Sequence, residues 1–301
     1  MTITLERMRK LVDEGLAIEK FDAERELITF KYHNRVFYHN RWNESDDLLE
    51  CRGIVFNTDG EIVQRPFKKI FNYGENGAGK DIPMDQDVMA VRKINGFMAA
   101  ATWYNDDLLV STTGTTTSDF AKLAESWLWK YDILFQQYPT YTFIFEIVDP
   151  SDPHIVYEEP GAYLLGMRHK TDGHLISMAA LERIIGKVFD IKTPEYFIAP
   201  MEDVVQLNRS VIGIEGYVLY DMGGEQFVKT KTPHYLSKKA LMRMGKGQAY
   251  NMYHNPDFFR ERLDEEFYGL FEDLLLAYTY DEWLGMNEQE RRKSIEEYFD
   301  E

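Results

Sequence analysis

Residues 89–104 read Met-Ala-Val-Arg-Lys93-Ile-Asn-Gly96-Phe-Met-Ala-Ala-Ala-Thr-Trp-Tyr104. The flanks are short apolar runs of strand type, so the four residues between them join two strands and Lys93 stands at a strand end. A lysine there is most often a solvated charge, and Lys-x-Asn-Gly alone is a weak signal. Its surroundings decide how it is read.

Working outward, the same texture recurs from Leu27 to about Val228. It appears as LITFKY, RVFYH, GIVFN before Thr58-Asp59-Gly60, EIVQRPF, LLVST, YTFIFEIV, AYLLGMR, GYVLYD before Gly223-Gly224, and QFVKTK. Turn residues break these runs, and helical patterns intervene only near Ser118–Tyr131 and Met178–Val188. A first helix is expected from about Leu5 to Ile18. Regular strand–helix alternation is missing, which predicts an α+β fold of antiparallel sheets with flanking helices. Beyond Pro233 the pattern turns helical. A basic helix is expected at Ser237–Met244, then one capped by Asn255-Pro256 with Phe259, Leu263, Phe267, Leu270, Phe271 and Leu274 at helical spacing. A last helix opens at Asn287 with Glu290 in capping-box position. The expected division is residues 1–237 and a small all-helical domain, 238–301.

With 301 residues and 44% hydrophobic content the chain can fill a sizeable core. No run approaches the roughly 18 to 20 apolar residues of a membrane span, and MTITLERMRKLVDEG is charged where a signal peptide needs an apolar stretch. Cys51 stands alone, excluding an internal disulfide, and the seven histidines show no zinc-ligand spacing. A soluble protein of the cytoplasm is expected, without a membrane partner. The net charge of −17 argues superficially against nucleic acid. The distribution argues otherwise. Residues 251–301 hold 15 acidic and 5 basic groups, whereas residues 226–250 carry Lys229, Lys231, Lys238, Lys239, Arg243 and Lys246 and no acid.

Gly74-Glu-Asn-Gly-Ala-Gly-Lys80 fits the phosphate-loop pattern, but Asp81 stands where a hydroxyl should hold magnesium and Pro83 denies the following helix. A plain loop is expected. Glu146 lies amid Phe143, Ile144, Phe145, Ile147 and Val148, where an unpaired carboxylate is costly, so it must meet a cation or a metal. Lys229 and Lys231, two apart on a strand, share a side and repel unless an anion lies between them. Each feature alone also has a structural reading: an ion pair for Glu146, a solvated face for the lysines.

Taken in order, ECRGI, RPFKKIFN, KINGF, FIFEIVDP, IEGYV and FVKTK resemble the bacteriophage RNA ligase 1 family of the covalent nucleotidyltransferase superfamily. The likeness spans residues 32 to about 235. It implies that Lys93 forms a lysyl-AMP, with Gly96 completing the motif, and that Glu146 and Glu215 are its carboxylates and metal ligands. It implies that Lys229 and Lys231 are the motif lysines following them, and that Arg52, Lys69, Phe71, Tyr32 and Gly216 line the nucleotide site. Asn95 stands where Asp is usual, and Thr113 where phage relatives often carry lysine; both are expected at the nucleotide.

The resemblance further implies ATP as co-substrate and Mg2+ or Mn2+ as cofactor. The implied partner is RNA with 5′-phosphate and 3′-hydroxyl ends, a tRNA or a single strand, joined by a monomeric enzyme in the host cytoplasm of a phage. Neutralising a lysine of pKa about 10.4 at pH 7 costs about 4 to 5 kcal/mol, a cost that Lys229, Lys231 and a divalent metal are expected to lower. The alternatives are a DNA ligase, a capping guanylyltransferase, or a non-catalytic RNA-binding repair scaffold.

Overall fold

Gly15, at φ +68°, stops the first helix early, at Leu5–Asp13, and residues expected to extend it form a strand instead. In the computed structural model, which describes residues 3–299, that strand is β1 (Ala17–Asp22). It opens an antiparallel sheet in the order β1-β2-β3-β4, with β2 Leu27–Tyr32, β3 Arg52–Asn57 and β4 Ile62–Gln64. RVFYH is a second departure. Asn34–Tyr38 is helical, with His33 accepting from the Arg35 amide as an N-cap, a local bond that overrides the β-preference of Val36, Phe37 and Tyr38.

The remaining strands are β5 Phe71–Asn72, β6 Asp87–Arg92, β7 Phe97–Tyr104, β8 Asp107–Thr112, β9 Tyr141–Val148, β10 Gly161–His169, β11 Tyr196–Pro200, β12 Tyr217–Tyr220 and β13 Gln226–Lys229. They form two sheets, β10-β9-β7-β8 and β11-β6-β12-β13-β5; only the short β13–β5 pair is parallel. Phe135, Phe143, Phe145 and Leu164 are fully buried between the β7–β10 sheet and the helices Asp119–Leu128 and Asp132–Gln137. Each such burial contributes about 1.5 to 3 kcal/mol. Gly74–Lys80 is a loop with Gly74, Asn76, Gly77 and Gly79 at positive φ and no helix after it, as Pro83 predicts.

β6 and β7 follow each other in sequence yet belong to different sheets. Lys93–Gly96 is therefore the crossover between two sheets, and this seam is where the site forms. β9 lies beside β7 and carries Glu146, while β12 lies beside β6 and is preceded by Glu215.

After β13 the described residues form helices only, beginning with Pro233–Met242, which runs through residue 237. The expected single helix around Phe259–Leu274 is interrupted: Pro256–Arg260, a short 3-10 turn Glu265–Phe267 and Tyr268–Ala277 follow one another. Its apolar positions nonetheless reach one cluster, with Leu241, Met252, Trp283 and Ile295. That cluster also takes in Ile155 and Val156 from the loop after β9. Asn287 and Glu290 exchange the two bonds of a capping box at the head of Glu288–Phe299.

Candidate active site

The crossover needs glycine at Gly96, because a Cβ there would lie 2.2 Å from the Ile147 carbonyl oxygen on β9. Gly216 is constrained likewise: φ is +146° and a Cβ would meet the Thr230 carbonyl oxygen at 2.3 Å. These close approaches bring the carriers of charge together.

Lys93 Nζ donates to Glu215 Oε2 at 2.9 Å, and the Lys93 amide donates to the Gly216 carbonyl at 2.9 Å. The other Glu215 oxygen faces Lys231 Nζ at 2.7 Å, and Asn95 Nδ2 donates to Oε2 at 2.8 Å. Burial pushes the Glu215 carboxyl up, but Lys93 and Lys231 outweigh it and hold the group at about 2. Glu146 Oε1 accepts from the Gly96 amide at 3.1 Å, and burial, only partly countered by Lys93, raises its pKa.

The direction at Lys93 corrects the sequence expectation. Burial lowers its pKa, yet Glu146 and Glu215 outweigh burial and the nearby Arg52, so the net displacement is upward. The cationic face acts instead on Lys229, which burial, Lys69 and Arg52 bring down to about 7. Lys69 is also lowered, chiefly by burial.

Arg52, Lys93, Glu146 and Lys229 line one cleft, with an apolar floor of Val91, Ile94, Met98, Leu165, Met178 and Val218. The chemistry of such a lining suits a planar apolar group with an anionic end. Lys69 stands over the rings of Phe71 and Trp42, at 4.8 and 5.4 Å from their centroids, and Tyr32 packs edge-on to Trp42. Thr113 lies against Gly53, next to Arg52 in the chain. Tyr32, Lys69, Phe71, Asn95, Gly96, Thr113, Glu215, Gly216 and Lys231 are not part of the lining of this cleft.

Sequence reasoning missed the groups that hold Asn95. Its Oδ1 accepts from the Val156 amide at 3.1 Å, and its own amide donates to Glu158 Oε1 at 3.4 Å. Glu158 also pairs with Arg92 at 2.8 Å, and the Tyr235 hydroxyl is 3.5 Å from Asn95 Nδ2. No periodicity marks Glu158 within Tyr-Glu-Glu-Pro, whereas Tyr235 could have been flagged as an aromatic immediately beyond the basic strand. Glu50, quoted only within ECRGI, is a further omission: it receives Arg65 at 2.9 Å and Arg168 at 2.8 Å and so pins the entry to β3 against β10. Among the described residues no group of three or more His, Cys, Asp or Glu gathers, and no helix is long and apolar enough to cross a membrane.

A sequence profile of an RNA ligase family matches residues 50–268. The chain is 28% identical over 238 residues to RNA ligase 1 of bacteriophage TS2126, an alignment covering 72% of this chain and 57% of that protein. The chain therefore spans little more than half the length of this relative. Among solved structures it resembles two forms of an archaeal ATP-dependent RNA ligase, with TM-scores of 0.61 and 0.58 at 17% and 16% identity, each covering 97% of this chain and 75% of the other. At such identity the likeness is one of fold.

Proposed function

This chain belongs to the RNA ligase family, and from that membership we propose that it is an ATP-dependent ligase joining RNA 5′-phosphate and 3′-hydroxyl ends through a lysyl-AMP on Lys93. The observation that carries the reading is the seating of Lys93 at the mouth of an apolar cleft, between two buried carboxylates and beside Arg52 and Lys229. An adenosine base suits the floor and its phosphates suit the cations. Among the described residues only helices follow β13, which favours RNA over DNA or cap chemistry, whose enzymes normally follow the last motif with a strand-rich domain.

In the proposed sequence the Lys93 ammonium first loses a proton to solvent. Its Nζ lone pair then forms a bond to the α-phosphorus as the bond to the bridging β-oxygen breaks, releasing pyrophosphate. An oxygen of the RNA 5′-phosphate displaces Nζ, and the 3′-hydroxyl of the second end, losing its proton, displaces AMP. Arg52, Lys69, Lys229 and Lys231 offset the charge gathering on the phosphate oxygens.

The donor set fits a divalent cation of magnesium type, since Glu146 is a buried carboxylate with a single hydrogen bond among the described residues and such ions are held by one or two carboxylates plus substrate phosphates. Glu146 would hold the ion, joined by Glu215 once Lys93 is released. The ion would offset the carboxylate field that keeps Lys93 protonated. Residues 238–301 we read as a helical unit that serves RNA, in a monomer acting in the cytoplasm, the host's if the gene is a phage's. A tRNA and a single strand are both in scope.

The test is incubation with magnesium and α-labelled ATP or GTP, followed by denaturation. Label from ATP retained by the wild type and absent from Lys93→Ala is expected; an unlabelled wild type, or label that survives the substitution, overturns the role of Lys93.

A further inference from the structure

The helix Pro233–Met242 carries Lys238 and Lys239, and Arg243 follows at its end. Lys238 is paired with Glu296 at 3.6 Å, and Arg243 with Glu288 at 3.0 Å, both acids on the last helix. Lys239 has no ion pair among the described residues. It turns inward: its Nζ lies 6.0 Å from the centre of the Tyr235 ring, and Lys231 Nζ lies 4.9 Å from the same ring. Tyr235 itself reaches Asn95, and Lys231 reaches Glu215. Two cations thus lie near one aromatic beside Lys93, and the Glu215 carboxylate is already bonded to Lys93, Lys231 and Asn95.

Burial first and the charge of Lys231 next lower the Lys239 pKa, so the two half-buried cations act on each other. An anion seated against Lys239 relieves both effects. Neither Lys231 nor Lys239 lines the apolar cleft, so that anion lies beyond the nucleoside.

We infer that Lys239 binds a phosphate at the mouth of the site, bringing a ligand-binding cation to it from the helices that follow β13. The inference rests on the ligase reading above and extends it. Two sources carry this chemistry: the β and γ phosphates of ATP, and the 5′-phosphate of the RNA.

The experiment uses the full chain with Lys239→Met, which keeps an unbranched side chain of similar length and removes the charge, and Lys239→Arg, which restores it. Lysyl-AMP formation is followed against ATP concentration, and sealing against the concentration of a 5′-phosphorylated single-stranded RNA. Because bonds to charged groups are strong, Lys239→Met should lose about tenfold to a hundredfold in one of the two, with Lys239→Arg recovering most of it and the melting temperature unchanged. A raised KM for ATP assigns the nucleotide's phosphates. Normal labelling with a raised KM for RNA assigns the 5′-phosphate. Calorimetric binding of inorganic pyrophosphate and of the same RNA repeats the comparison without turnover. If Lys239→Met binds both as tightly as the wild type, the inference fails; if the wild type takes no label while Lys239→Met still weakens binding, the ligase reading fails and the phosphate site stands.

Discussion

Replacing Glu215 by glutamine keeps the shape of a side chain that is almost fully buried but removes the charge that both Lys93 and Lys231 contact. The carboxyl is displaced from an ordinary 4.5 to about 2. At about 1.4 kcal/mol per pKa unit, that displacement corresponds to about 3 kcal/mol of stability at neutral pH. Breaking one side of a buried ion pair gives a similar figure, about 3 to 5 kcal/mol. Because the folded pKa lies below the unfolded one, the contribution is fully present above the unfolded value and is lost as pH falls through the folded value. Urea unfolding of wild type and Glu215→Gln should therefore differ by about 3 kcal/mol at pH 7, and the gap should narrow to roughly half near pH 3. A gap below about 1 kcal/mol at pH 7, or one that stays constant down to pH 3, would refute the ion-paired geometry.

Gly96→Ala places a methyl group against the Ile147 carbonyl, so the crossover must shift; we expect a loss of more than about 3 kcal/mol in denaturant unfolding, and a change under about 0.5 kcal/mol would contradict the close approach. Lys229, near 7, loses its charge as pH rises from 6 to 8. ATP affinity measured by fluorescence titration should weaken over that range in the wild type, and Lys229→Arg, which stays charged, should bind with little pH dependence. Equal slopes for the two proteins would remove Lys229 from the phosphate site.

Runs of β-type residues between turn signals located most of the strands, because alternation and turn chemistry are local. RVFYH failed because a single side-chain cap at His33 outweighed the β-preference of three residues. The first helix was drawn too long because its apolar face at Leu16 continues smoothly into β1; only Gly15 marks the break. At the site, Lys93, Glu146, Glu215, Lys229 and Lys231 could be singled out by residue type and order. Glu158 and Glu50 could not, since an acid becomes a positioning group only through partners distant in the chain, Arg92 and Asn95 for one and Arg65 and Arg168 for the other. The sign of the Lys93 displacement was also out of reach: it depends on how near Glu146 and Glu215 come, which no spacing encodes.

Ile155 and Val156 sit in the apolar cluster of the C-terminal helices, while the Val156 amide holds Asn95. Exchanging these helices for another module in this chain would strip Ile155 and Val156 of their apolar partners and so disturb the hold on Asn95, unless the new module supplied a matching socket. A hybrid protein grafted at residue 237 inherits that mismatch. One that carries residues 153–158 along with the helices does not.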